Sequence, residues 1–145
     1  MPPSGGHSQV VQHRVDAKVE LLKRVPLFAG LAANELDAVA AAAEESRVPV
    51  GETLLSQEEP GREVVVLLDG AATVERDGQT VGTVRSGDVV GEIGVLTRMS
   101  RTATVTTTMP SHLLVIPADA FRSLMDMIPA LAKGAWKATS ARLEP

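Results

Sequence analysis

With 145 residues and 44% hydrophobic content, the chain has the length of one domain and enough apolar residues for one core. A formal charge of −4, two Phe, one Trp and no Tyr exclude the basic, aromatic surface of a nucleic-acid binder, and zero cysteines exclude disulfides and thiolate metal sites and suit the cytoplasm. No apolar run reaches the roughly 18–20 residues of a membrane-spanning helix, and MPPSGGHSQ lacks the charged-then-apolar layout of a secretion signal.

Residues 1–13 read as a flexible tail rich in Pro, Gly and Ser, and residues 14–145 as a single domain. Arg14–Arg24 places Val15, Val19 and Leu22 at helical spacing with charges between them, which predicts a first helix. Pro26 is expected to stop it, with LFAGL as a short apolar turn. Asn34 is expected to cap a second helix, NELDAVAAAAEES, with Asp37 at its third position, so the helical entry covers 14–45.

From 46 to 117 the pattern changes to short runs rich in Val, Leu and Thr: RVPVGETLL, EVVVLLDG, AATVERDG, QTVGTVRSG, DVVGE, RTATVTTT and HLLVIP. Gly or Asp-Gly breaks recur about every ten residues, the pattern of an antiparallel β barrel or sandwich of about eight strands. Asp69-Gly70 and Asp77-Gly78 are the best hairpin turns. Helices return over 118–143: ADAFRSLMDM puts Ala120, Phe121, Leu124 and Met125 on one face, and Pro129 suits the first turn of a final helix.

The stretch GEIGVLTRMSRTATV carries the chemistry. Gly91, Glu92, Ile93 and Gly94 follow the strand DVV; a helical turn there would offer free backbone N–H groups to an anion, and the glycines allow close approach. Arg101 can pair bidentately with a phosphate, whereas Glu92 would be repelled by one and suits a sugar hydroxyl. An anion clamp beside a hydroxyl acceptor reads as a ribose-phosphate site. The same residues also fit a turn between strands followed by a surface arginine. Val81, Val84, Val89 and Val105 are either apolar pocket walls or barrel core. Trp136 either caps a bound base or packs the last helix onto the strands. Gly134, about 1 kcal/mol less favourable than Ala in a helix, suits a moving lid and a fraying end equally.

The chain resembles the cyclic nucleotide-binding domain family, the module of the bacterial catabolite activator protein and of protein kinase regulatory subunits. The resemblance runs from about Val19 to Leu143. VPLFAGLAANEL resembles the family's helical entry, VVVLLDGAATV its central strand pair ending at Gly70, and VRSGDVVGEIGVL leading into SRTATV its phosphate-binding cassette. It implies a mainly β fold: an antiparallel, jelly-roll-like double-stranded β-roll with two N-terminal and two C-terminal helices. It also implies Glu92 on the ribose 2′-hydroxyl, Arg101 on the cyclic phosphate, and backbone amides near Ile93, Gly94, Thr102 and Ala103 completing the cradle. Thr102 follows the arginine, where a hydroxyl can reach the guanine amino group of syn cGMP and still tolerate cAMP. Three positions depart from the family pattern: Val90 replaces an aromatic, Glu58 a frequent glycine and Ser100 a common proline.

The expected function is a non-catalytic regulatory module, without a cofactor, that binds cAMP or cGMP and signals through movement of its helices. The sequence ends at ARLEP, leaving no room for the helix-turn-helix of the activator relatives, so the expected listener is another protein or a linked output domain, with a second copy of the chain a further candidate. The alternative is a structural or protein-interaction domain that keeps the roll without the nucleotide. Catalysis is not expected, because His7, His13 and His112 are scattered and no Ser-His-Asp set is present.

Overall fold

The computed structural model describes residues 15–60, 62–91 and 103–143. Helix α1 runs through 15–22, followed by α2 (Pro26–Ala29) and α3 (Ala33–Ala42). Eight strands come next: β1 (Glu44–Val48), β2 (Thr53–Leu55), β3 (Glu63–Asp69), β4 (Ala71–Arg76), β5 (Gln79–Arg85), β6 (Val89–Val90), β7 (Thr104–Thr107) and β8 (Ser111–Pro117). Helices α4 (Ala118–Met127) and α5 (Pro129–Leu143) close the chain. The strands form two antiparallel four-stranded sheets, ordered β1-β8-β3-β6 and β2-β7-β4-β5. This is a β-roll with flanking helices, as the resemblance implies.

The unbroken apolar run of β3 follows from its position between two cores. Val64 and Val66 turn outward with Leu114, Ile116 and Val89 and are covered by Leu22, Phe28, Val39, Phe121 and Leu131 from the helices. Val65 and Leu67 turn inward with Val90 and Leu113 to meet Leu55, Ala72, Val84 and Val105 of the second sheet. A strand covered on both faces has no polar side to display. Phe28 and Phe121, both fully buried, anchor the helices to the roll.

Local chemistry departs from the sequence reading at several points. Pro26 opens α2 rather than only ending α1: its ring occupies the first turn, where no N–H is needed, and Phe28 and Ala29 donate backbone bonds to Val25. LFAGL is therefore partly helical, and three helices precede the roll among the described residues. Helix α3 starts two residues earlier than an Asn34 cap requires. Glu35 Oε1 accepts the Ala32 N–H at 2.8 Å, the carboxylate half of a capping box. The helix ends at Ala42 because residues of AEES enter β1, where Glu44–Val48 pair with Val115–Ser111 of β8. Strand pairing across nearly seventy residues overrides helical propensity there.

Asp77-Gly78 is the expected tight turn between β4 and β5, with both residues in the left-handed region (φ 54° and 81°). Asp69-Gly70 is not a hairpin turn. The chain leaves the first sheet at Asp69 and enters the second at Ala71, so β3 and β4 never pair. Gly70 makes this crossing at φ 135°, pressed against Ser111 so closely that an added Cβ would lie 2.7 Å from the Ser111 Cβ. Only glycine meets both conditions. His112 lies on β8, between β1 and β3, not on an edge; its Nε2 is 2.8 Å from Glu45 Oε2. His7 and His13 fall outside the described residues.

Helix α4 buries Ala118, Phe121 and Leu124 and half-buries Ala120 and Met125, in line with the predicted face. Pro129 begins α5, which buries Leu131 and Ala135. Gly134 on α5 is a point of close helix approach: a Cβ there would lie 3.2 Å from Leu27 Cδ1 of α2.

Candidate functional site

The segment of interest joins the two sheets, leaving from β6 and returning at β7. Strand β6 is a two-residue edge strand held by Val65↔Val90 and Val66↔Val89. It is launched by a tight loop in which Asp88 Oδ2 accepts the Arg85 N–H at 2.8 Å, Leu67 donates to the Asp88 carbonyl and Gly87 donates to that of Leu67. Gly91 then turns the chain off the sheet at φ 92°, a conformation that glycine adopts without strain.

On the return side, Ala103 is half-buried and leads into β7, which pairs with both β2 and β4. Thr104 Oγ1 accepts the Gln57 N–H at 2.9 Å. The Gln57 amide side chain meets Asp77 twice, donating to Oδ1 at 2.8 Å and accepting the Asp77 N–H at 2.9 Å. These bonds hold the β2–β3 loop, the β4–β5 turn and the start of β7 together. Sequence reading had not singled out Gln57 or Thr104; the Asp77-Gly78 turn was the nearby signal, but its partner is twenty residues away. Glu58, in the same loop, takes φ 70°, which explains why a glycine is suited to that place.

Val90 and Val105, just inside the two flanks, belong to the same roll core. The segment therefore starts and ends over one apolar interior. Among the described residues that interior is built from Leu55, Val65, Leu67, Ala72, Val84, Val90, Val105 and Leu113, and no charged side chain is buried. Among the described residues the buried polar side chains are Thr107 and Ser111. Thr107 Oγ1 accepts the Glu52 N–H at 2.9 Å and donates to the Pro49 carbonyl at 2.8 Å, while Ser111 donates to the Met109 carbonyl at 2.9 Å. Such an apolar interior cannot neutralise a phosphate.

The candidate residues divide accordingly. Gly91 and Ala103 sit at the two ends of the segment. Glu92, Ile93, Gly94, Arg101 and Thr102 lie outside the described residues, as does Ser100. Val84 and Val105 line the roll interior; Val89 faces the helices instead, and Val81 is exposed. Val90, in place of the family's aromatic, is a buried roll-core residue. Trp136 is not among the buried residues of α5. It is 48% exposed, and the buried seats on that helix go to Leu131 and Ala135. No group of three or more His, Asp or Glu suited to a metal ion occurs among the described residues, and no described helix is long and apolar enough to cross a membrane.

Comparison with known proteins adds three kinds of finding. A family model described as cyclic nucleotide-binding domain matches residues 45–127, more than half of the chain. The cGMP-dependent protein kinase egl-4 of Caenorhabditis briggsae is 32% identical over 80 residues, covering 55% of this chain and 11% of the kinase. Across the curated relatives, the chain spans only 10% to 32% of the relative's length. Among solved structures, cAMP-bound PfPKA-R superposes with a TM-score of 0.75 at 22% identity, covering 80% of this chain and 41% of that one. The catabolite activator protein of Thermus thermophilus superposes with a TM-score of 0.73 at 24% identity, covering 81% of this chain and 58% of that one. At these identities the structural likeness establishes the shared fold.

Proposed function

This chain belongs to the cyclic nucleotide-binding domain family, and from that premise we propose that it is a regulatory module whose 91–103 segment takes up cAMP or cGMP. The observation that carries the reading is where the segment is anchored. Both ends of a segment containing Glu92 and Arg101 are rooted over an apolar interior that, among the described residues, buries no charge. In this reading Arg101 pairs with the cyclic phosphate through a charge-assisted fork. Glu92 accepts the ribose 2′-hydroxyl, and backbone N–H groups near Ile93, Gly94, Thr102 and Ala103 complete the cradle. Thr102 permits either base. A cGMP-dependent kinase among the relatives and a cAMP-bound regulatory subunit among the structural neighbours support keeping both nucleotides.

Trp136 is the proposed base lid; its exposure leaves the indole free to close on a base that emerges from the roll. Signalling would run through the helices, since their core is continuous with the outer face of β3, which carries β6 at its edge. The ligand can shift such a balance only by its difference in affinity for the two arrangements. We place the module in the cytoplasm as one non-catalytic domain over residues 14–145, after a tail over residues 1–13. It would report to another protein, a linked output domain or a second copy of itself.

Calorimetric titration with cAMP and cGMP, with 5′-AMP as control, tests the reading. Saturable binding of a cyclic nucleotide and none of 5′-AMP is expected. No heat at millimolar ligand would overturn it in favour of a scaffold that keeps the roll alone.

A further inference from the structure

The C-terminus of α3 is poorly equipped to end where it does. It has no basic residue in its last turn, and its cap residue, Ala43, is extended (φ −94°, ψ 142°) rather than left-handed. Glu44 and Glu45 follow directly, placing negative charge against the negative end of the helix dipole. Of the final carbonyls, that of Ala40 has a long 3.3 Å bond from the Ala43 N–H, and further donors must come from elsewhere.

They find them on another helix. The Lys18 ammonium of α1 donates to the Ala40 carbonyl at 3.0 Å and to the Ala43 carbonyl at 2.6 Å. One cation thus caps α3 and grips the peptide that enters β1. The rest of α1 is unevenly held: Leu22 is fully buried at its C-terminal end, whereas Val15 and Val19 are only partly buried. We infer that Lys18 is a positioning latch that docks α1 onto the α3–β1 junction, and that breaking it frees α1 without opening the roll. The latched arrangement ties the first helix to β1, and through β1 to β8 and β3. The unlatched one leaves Leu22 and Phe28 as hinge anchors. The inference stands independently of nucleotide binding.

Amide hydrogen exchange on the full chain and on Lys18→Met, which keeps the apolar stem and removes the donor, tests it. The amides over 19–23, including the Lys23 N–H bonded to the Val19 carbonyl, and the Ala43 N–H bonded to the Ala40 carbonyl are expected to exchange about 10- to 100-fold faster in the variant. Val66 and Leu114, paired in the middle of the first sheet, are expected to keep their protection and so report that the variant is folded. Unchanged exchange over 19–23, or equal acceleration everywhere, would overturn the latch. In the unaltered chain, low denaturant should open 19–23 and Ala43 as one unit before the roll. Separate openings would overturn the latch even if Lys18→Met failed to fold.

Discussion

Replacing Gly70 with alanine tests the crossing between the two sheets, on which the shape of the roll depends. Two costs combine. At φ 135° an L side chain is strained, by about 1–3 kcal/mol for such backbone outliers. The new Cβ would also lie 2.7 Å from the Ser111 Cβ and 3.0 Å from its Cα. Ser111 cannot easily yield: it is buried, pairs with Val48 and donates to the Met109 carbonyl. Overpacking of this kind costs about 1–3 kcal/mol, so the total is about 2–6 kcal/mol, a large share of the roughly 5–15 kcal/mol typical of a domain. Urea titration followed by circular dichroism measures the loss, and the melting temperature should fall by roughly 5–20 °C. Ser111→Gly removes the side-chain part of the clash, so the double variant should recover about 1–3 kcal/mol relative to additivity, with the φ penalty remaining. A loss below about 0.5 kcal/mol for Gly70→Ala, or no coupling to Ser111, would refute the argument.

Four further substitutions or signals probe the loop and the site. Glu58→Gly should raise stability by roughly 0–1 kcal/mol, because relief of left-handed strain slightly exceeds the added chain entropy; a lower urea midpoint would contradict this. Arg101→Ala should weaken cyclic nucleotide binding about 10- to 150-fold by calorimetry, the equivalent of one charge-assisted contact, and unchanged affinity would remove Arg101 from the phosphate. Glu92→Gln should weaken binding of the ribose nucleotide more than that of its 2′-deoxy analogue, and equal losses would remove Glu92 from the 2′-hydroxyl. Trp136 is the single tryptophan of the chain, so its emission should shift to the blue when a base covers it; an unshifted spectrum at saturating nucleotide would exclude it as the lid.

Signals written in neighbouring residues were legible without the fold. Alternating and continuous runs of Val, Leu and Thr marked the strands, Asp77-Gly78 marked a tight turn, and Pro129 marked the start of the last helix, because each depends on the backbone preferences of two or three consecutive residues. The Gly91–Ala103 segment stood out for the same reason: glycines, a carboxylate and a guanidinium sit within thirteen residues. What neighbours could not decide was which distant segment each element would meet. The helix-favouring AEES gave way to β1 because β8, nearly seventy residues on, offers a ladder for Glu44–Val48. Asp69-Gly70 has the composition of a hairpin turn, yet it crosses between sheets because Val65 and Leu67 must face Val84 and Val105 across the roll. Trp136 fitted either core or lid by sequence and is 48% exposed, since the buried places on α5 go to Leu131 and Ala135. Sequence alone thus determined most of the element types and singled out the candidate segment. Tertiary structure decided which faces are covered, because burial is a property of pairs of surfaces and not of either one alone.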